Sequence, residues 1–378
     1  MSLGRKVIVY GANGYTGKLV AESLANRQIP FYFAGRSKDK LDQALGIVRE
    51  RLGANAWKLD AEIVAVDNDV DKLLPVFRKC GIVINVAGPF MQVAWPVVEA
   101  ALKAGCHYTD TTGEQDWVIA IADKYGAEFA AKGLLLAPAT SFMWASGALA
   151  AEVVLEDPEI DSLDILYQVD NGLPSEASTK SFLRMVCNET SQYYLEQNEY
   201  KAWQNDVAHD VFVPYRNAKM RAHPWGGACE PVWLKGRVRN CKVLTAIGEH
   251  MIDGIIQAIR AFNAQAPGLD QAGREALTNA ISTQISTGEP PKDHPDVQRG
   301  VIVVHGQSRT RTTSYVMNLS AAYTWTGELS AEVARLLLDG QLRKPGFQSI
   351  ATAFDHRQLI RTFNALGFCS ALPNRAVV

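Results

Sequence analysis

Over the first 140 residues the hydrophobic positions change period with a regular beat. Short apolar runs, the first of them β-branched, at 6–10, 31–35, 63–66, 82–86, 107–109 and 134–137 predict strands. Between them, apolar residues recur at helical spacing over 15–26, 38–52, 69–79, 92–104 and 115–131. Strands alternating with helices predict βαβ units, right-handed crossovers and one parallel sheet. After residue 145 the beat changes. Runs at 164–170, 301–307 and 313–323 predict longer strands, while helical patterns cover 176–200, 248–264 and 270–286. No helix separates each pair of these strands, which predicts an α+β domain on a mostly antiparallel sheet. Helical periodicity returns at 329–338 and 356–366.

Composition narrows the class without naming a chemistry. The chain has 378 residues, 47% hydrophobic and 21% charged, which is ordinary globular usage. At roughly 150 residues per domain, two or three units are expected. The 38 Lys and Arg against 40 Asp and Glu leave a net charge of −2. So balanced a chain has no global field to draw nucleic acid or an anionic membrane, and neither is expected as a partner. Six cysteines, at 80, 106, 187, 229, 241 and 369, form no CxxC pair. They suggest reduced thiols in a cytoplasmic protein. The most apolar long stretch, 83–104, carries Asn85, Pro89, Pro96, Glu99 and Lys103, so no membrane span is expected, and no charged-then-apolar leader precedes the first strand.

The chemistry begins at Gly11-Ala12-Asn13-Gly14-Tyr15-Thr16-Gly17, between the first strand and the first helix. Gly11 permits the tight turn, Gly14 lets backbone approach a pyrophosphate, and Gly17 allows close helix–sheet packing. The helix N-terminus adds free N–H donors and a positive dipole end. At the end of the second strand stand Arg36 and Ser37, where an NAD-preferring site would commonly place an acid. A guanidinium there grips a 2′-phosphate, and a charge-assisted contact of about 1.5–3 kcal/mol favours NADP over NAD by roughly 10- to 150-fold. NADP(H) is the expected cofactor. Asp67, past the third strand, either meets the adenine amino group or caps the next helix. Asn85, Ala87, Gly88 and Pro89 end the fourth strand and are expected beneath the nicotinamide ribose.

The segments GANGYTG, AGRS, VINVAGPF and YTDTTGE, at these intervals, resemble the saccharopine dehydrogenase-like NADP-binding family, which includes saccharopine reductases and trans-acting enoyl reductases. The resemblance covers about residues 5–140, with a weaker likeness at 322–326 and 351–355. It implies NADP(H) at Gly11, Asn13, Gly14, Tyr15, Thr16, Gly17, Arg36, Ser37 and the 85–90 loop. It also implies a substrate domain inserted before C-terminal helices that return to the first domain. The glycine turn is GxxGxxG where saccharopine reductases usually carry GxGxVG, and 139–146 lacks the acidic GFDS-type loop of the enoyl-reductase branch. The resemblance therefore implies a cofactor and carries no substrate.

The expected fold class is α/β, an N-terminal Rossmann-type parallel sheet with an inserted α+β domain, divided as 1–145, 146–325 and 326–378. The first part binds NADP(H), the second serves substrate or dimerisation, and the third packs back on the first. Hydride transfer usually needs a proton donor or acceptor near the acceptor atom. Asp110 and Glu114, after the fifth strand, can handle a proton, or Asp110 caps a turn and Glu114 favours a helix N-terminus. Tyr15 either faces the nicotinamide or packs. In the inserted part, Arg216, Arg221 and His223 lie in a Gly/Pro-bounded loop that suits an anionic group, or they form a solvated basic surface. His209, His250, His294 and His305 have no metal-ligand spacing, so no metal is expected. The function expected is an NADP(H)-dependent oxidoreductase acting on C=N, C=O or activated C=C of a small substrate in the interdomain cleft. An NADP-binding regulatory protein without catalysis is the alternative. A homodimer through the inserted sheet is also compatible with the pattern.

Overall fold

The computed structural model describes residues 6–187, 191–214, 219–247, 249–285 and 288–371. The chain forms two compact units, one of residues 1–112, 120–142 and 323–355, the other of 113–119, 143–322 and 356–378. In the first unit lie β1 (Val7–Tyr10), β2 (Phe31–Gly35), β3 (Ala61–Ala65), β4 (Ile82–Asn85), β5 (His107–Asp110) and β6 (Leu135–Ala137). The second holds β7 (Ser162–Asp170), β8 (Tyr193–Glu196), β9 (Glu199–Ala202), β10 (His209–Phe212), β11 (Lys219–Ala222), β12 (Asn240–Ile247), β13 (Arg299–Gln307) and β14 (Thr312–Ser320). The chain then adds β15 (Gly346–Phe347) to the first sheet and β16 (Cys369–Ala371) to the second.

The first sheet runs β15-β6-β5-β4-β1-β2-β3 with every pairing parallel, the Rossmann order plus one edge strand. β1 is buried along its whole length because helices cover both faces, which explains its unbroken apolar run. Strand order reverses between β1 and β4, and ligands of such sheets lie outside the strands' carboxyl ends at that reversal. The helix Ala322–Leu338 returns to this unit through Gly327, where a Cβ would come within 2.8 Å of the Leu19 carbonyl oxygen. Arg27 adds ion pairs to Glu328 and, at 3.4 Å, to Glu332.

The second sheet runs β16-β14-β13-β7-β12-β8-β9, antiparallel at every pairing except β7 with β12. Several elements differ from the periodicity. The helix expected over 176–200 ends at Val186, and β8 and β9 follow as a hairpin. Gln197 and Asn198 turn it with φ of 52° and 62°, the left-handed pair that a two-residue hairpin loop requires. The strand expected over 313–323 stops at Ser320, since Ala321 takes φ of 48° and turns the chain into the next helix. The expected C-terminal block 326–378 is divided. Residues 323–355 belong to the first unit, whereas 356–371 run with the second, because β16 pairs with β14 and Arg357 holds Glu156 at 2.7 Å.

Candidate functional site

The cofactor cradle is built from backbone. Gly11 has φ of 85°, and a Cβ there would fall 2.8 Å from the Ala87 nitrogen. A Cβ on Gly17 would lie 2.5 Å from the Ala12 carbonyl oxygen, so turn and helix touch only because Gly17 is bare. The Gly11 and Ala12 amides donate to the Ala34 carbonyl at 2.9 and 3.0 Å, pinning the turn to β2. Gly14 is the N-cap of the helix Tyr15–Asn26, without a side-chain cap bond and without an acid in the first turn. That combination suits a phosphate at the helix end. Asn13 lies against the bare face of Gly35, whose Cβ would be 3.2 Å from Oδ1. Thr16 is the second residue of the same helix. The ring of Tyr15, buried, meets the edge of Tyr323 at 4.9 Å between centroids.

Arg36 is exposed at the end of β2, and Ser37 caps the following helix by accepting from the Lys40 amide at 3.4 Å. Because the Val66 amide donates to the Gly35 carbonyl at 2.8 Å, Arg36 and Asp67 leave neighbouring strand ends. Asp67 is held by Lys72 at 2.6 Å, and that ammonium keeps its carboxyl below the usual range. The helix cap anticipated for Asp67 belongs instead to Asp69, which accepts from the Asp71 and Lys72 amides at 3.0 and 3.2 Å. Close by, the hydroxyl of Tyr10 is buried without a partner beside Arg36 and Asp67, and burial pushes its pKa up. A bare-backbone cradle, an open helix end, a surface guanidinium and an orphaned hydroxyl fit a dinucleotide phosphate.

The carboxyl ends of β4, β5 and β6 are braced by one polar chain. Asn85 Nδ2 donates to the Tyr108 hydroxyl at 3.0 Å, and that hydroxyl donates to Asp110 Oδ2 at 3.0 Å. Asp110 Oδ1 accepts from the amides of Thr112 and Ala139 at 3.1 and 3.0 Å, and Asn85 Oδ1 accepts from Ala87 at 3.1 Å. Gly88 and Pro89 follow, and Pro89 caps the turn Phe90–Val93. Asp110 and Asn85 are wholly buried, so the structure brings these two expected site residues together through a tyrosine that sequence reasoning missed. The available signal was spacing, since residues two apart on a strand share a face.

In the second unit, Glu114 is also wholly buried. Its oxygens receive Arg184 Nη2 at 2.6 Å and the Ser181 hydroxyl at 2.7 Å, while Asp116 takes the same guanidinium at 2.7 and 2.9 Å. Burial works against the Arg184 charge, but Glu114 and Asp116 outweigh it and hold the pKa above its ordinary value. Glu230, also buried, receives the Tyr167 hydroxyl at 2.5 Å, and burial pushes its carboxyl up to about 8. Arg216 lies outside the described residues. Arg221 pairs with Asp253 on the rim of a groove of about 480 Å³ shared with Asp206 and Arg260. His223 is buried, accepts at Nδ1 from the Trp225 amide at 3.0 Å and so donates from Nε2 to the Asn205 carbonyl at 2.7 Å. Burial lowers its pKa to about 4, which keeps it neutral. Among the described residues no three ligating side chains gather for a metal, and no helix is long and apolar enough to cross a membrane.

A family model described as "Saccharopine dehydrogenase NADP binding domain" matches residues 7–132, and one described as "Family of unknown function (DUF5938)" matches residues 145–373. The chain is 34% identical over 137 residues to "Lipid droplet localized protein" of Caenorhabditis elegans, covering 35% of this chain and 32% of the relative. Over 146 residues it is 30% identical to "Saccharopine dehydrogenase-like oxidoreductase" of Rattus norvegicus, covering 36% and 34%. "Trans-acting enoyl reductase" of Mycobacterium leprae is 33% identical over 140 residues, covering 36% and 32%. These matches span about a third of each relative's length. Among solved structures, apo saccharopine dehydrogenase (L-Glu forming) from Saccharomyces cerevisiae shares the fold over 98% of this chain and 100% of that one, with a TM-score of 0.60 and 12% identity. The cytoplasmic expectation is corrected here. A similar protein carries the name of a lipid-droplet protein, and residues without a spanning helix can still lie on a lipid surface.

Proposed function

The chain belongs to the family of unknown function DUF5938 and carries a saccharopine dehydrogenase NADP binding domain, and from that premise we propose that it is a reductase using NADPH in preference to NADH. The observation that carries the preference is Arg36, exposed at the strand end, with the neighbouring Asp67 held by Lys72. Bound at the carboxyl edge, NADPH supplies a hydride to a C=N, C=O or activated C=C of a small anionic substrate. Gly11, Gly14 and the first turn of the helix Tyr15–Asn26 hold the pyrophosphate, and Asn13 and Thr16 line the same turn. The 85–89 segment would hold the nicotinamide ribose. Asp110 keeps that segment in place through Tyr108 and Asn85, and Glu114 fixes Arg184, so both act as positioning residues in this reading. Tyr15, its ring packed edge-on with Tyr323, would face the nicotinamide. Arg221 and Arg260 line the inserted domain's groove and would meet an anionic group there, while His223 is buried on its bonds to Asn205 and Trp225.

Tryptophan fluorescence, with eight Trp in the chain, reads NADPH and NADH binding directly. NADPH is expected to bind at least tenfold more tightly, in line with a charge-assisted contact. Equal affinities defeat the preference. Stopped-flow loss of the NADPH signal against imine, ketone and enoyl substrates then separates a reductase from an NADP-binding regulator, which would bind and never oxidise it.

A second reading concerns place. Trp57 is 71% exposed on the turn Gly53–Lys58, with Lys58 Nζ 5.7 Å from its ring centroid, a pairing suited to a lipid interface. Flotation with triacylglycerol emulsions should carry the protein upward and lose the Trp57→Ala variant. Equal flotation of both forms, or none of either, removes Trp57 as an anchor.

A further inference from the structure

The hairpin of β10 and β11 has an inner and an outer face. Val211, Val213, Met220 and Ala222 turn inward and pack against β7, β12 and β13. Side chains alternate along a strand, so Asp210, Phe212, Lys219 and Arg221 share the outer face. Phe212 is 73% exposed there, directly opposite Lys219. A single exposed apolar side chain needs no explanation by itself. What sets Phe212 apart is its company. Lys219 reaches Asp210 at 2.6 Å, and Arg221 turns to Asp253 on the rim of the 480 Å³ groove. One wall of that groove is Asp253, Ile256, Gln257 and Arg260, spaced i, i+3, i+4 and i+7 along the helix Glu249–Gln265. Asp206, Val207 and Ala208 line it as well, and Arg260 pairs with Asp206 at 3.5 Å. The surface is therefore one aromatic ring beside a groove in which each guanidinium stands next to a carboxylate.

We propose that this face docks on a surface of zwitterionic phospholipid, with Phe212 entering the acyl boundary and the groove receiving a headgroup, its phosphate on Arg221 or Arg260 and its ammonium on Asp253 or Asp206. Charge selects the headgroup. A guanidinium beside a carboxylate matches a phosphate followed by an ammonium, whereas a purely anionic headgroup would meet the acids with like charge. The net charge of −2 adds no long-range pull toward an anionic membrane. A protein partner suits the face less well, because protein interfaces deplete charge at their buried core and gather aromatic anchors there. Phe212 instead stands among ions. A lipid interface accepts that mixture, since rings sit at headgroup level and the stems of Lys and Arg carry their charges outward. The proposal rests on the lipid-surface reading and adds to Trp57 a face in the second unit.

The probe is flotation of the full chain with phosphatidylcholine vesicles. Phe212→Ser alters only an exposed side chain and should lower the partition about tenfold or more, the order expected for burying a Phe ring. Arg221→Gln and Arg260→Gln should each lower it about threefold to tenfold, the loss of a hydrogen-bonded contact. Phosphatidylglycerol vesicles should bind no more tightly than phosphatidylcholine. Tighter binding to the anionic vesicles overturns the headgroup assignment. A partition that Phe212→Ser leaves intact while Trp57→Ala abolishes it overturns this face and leaves the lipid-surface reading standing on Trp57. A wild type that floats with neither vesicles nor triacylglycerol emulsions overturns both. If Phe212→Ser splits a dimer in sedimentation and leaves the vesicle partition unchanged, the face belongs to a second copy of the chain and the lipid assignment falls.

Discussion

The two units bury polar groups to opposite ends. At the first sheet's carboxyl edge, Tyr10 has a buried hydroxyl with no protein partner, and Arg36 projects into solvent. In the second unit, Glu114, Asp116 and Arg184 are just as buried yet bound to one another. Some orphaned atoms there, such as Arg184 Nε and Glu230 Oε2, belong to side chains otherwise engaged, while Thr245 Oγ1 and Trp233 Nε1 are buried without a hydrogen-bond partner. A polar group paired within the chain holds the fold, whereas one left unpaired calls for a ligand, a water or a cost in stability. Charge and burial alone do not separate the two roles, because Glu114 has both and its partners occupy it.

The sharpest way to break that contrast is to remove Arg184. Arg184→Met would leave two buried carboxylates uncompensated, and losing one partner of a buried pair costs about 3–5 kcal/mol. Chemical denaturation should show a loss of that order, while surviving folded protein keeps its NADPH affinity. A loss below about 1 kcal/mol would place the network among weak surface pairs. Next in size is Arg36→Glu, which should lower NADPH affinity by roughly 10- to 150-fold with little change in stability. An unchanged NADPH titration would remove the guanidinium from the site.

Tyr108→Phe tests the brace between these extremes. It keeps the ring and deletes the hydroxyl, leaving Asn85 Nδ2 and Asp110 Oδ2 facing an apolar edge. Stranding buried polar groups costs about 1–3 kcal/mol. Hydrogen exchange at the Ala87 amide, which bonds Asn85 Oδ1, should accelerate beyond that global loss. Exchange that merely follows global stability would show that the brace holds no loop.

What the sequence made legible follows from range. Gly11 to Gly17 could be read because strand, turn and helix are contiguous, and the two bare contacts lie within a few residues of Ala12 and at Ala87. Arg36 was visible by its interval from those glycines. Arg184 was not, since it meets Glu114 across 70 residues and nothing local marks an arginine in a helix's last turn as buried. Tyr108 reads as an ordinary strand aromatic until its hydroxyl is seen between two polar neighbours. The hairpin β8–β9 was hidden because its tyrosines and leucine also satisfy a helical period, and its Gln-Asn turn is a weaker signal than one with glycine. Asp67 and Asp69 differ by two positions, and only geometry tells which one caps.

The pH dependence of stability is the readout most diagnostic of the second unit. Glu230 has its carboxyl raised by burial from 4.5 to about 8, against the opposing hydrogen bond from Tyr167. Between those values the folded state holds a proton that the unfolded chain has released. Stability from this group is therefore full below about 4.5, falls as pH rises through the window, and is lost above about 8. Glu230→Gln keeps an oxygen to accept from Tyr167 and has nothing to titrate. Its unfolding free energy should depend less steeply on pH than the wild type's across that window, with the two curves diverging most on the alkaline side. Curves that stay parallel from acid to alkali would mean that Glu230 titrates normally, and that its hydrogen bond with Tyr167 offsets the burial in full.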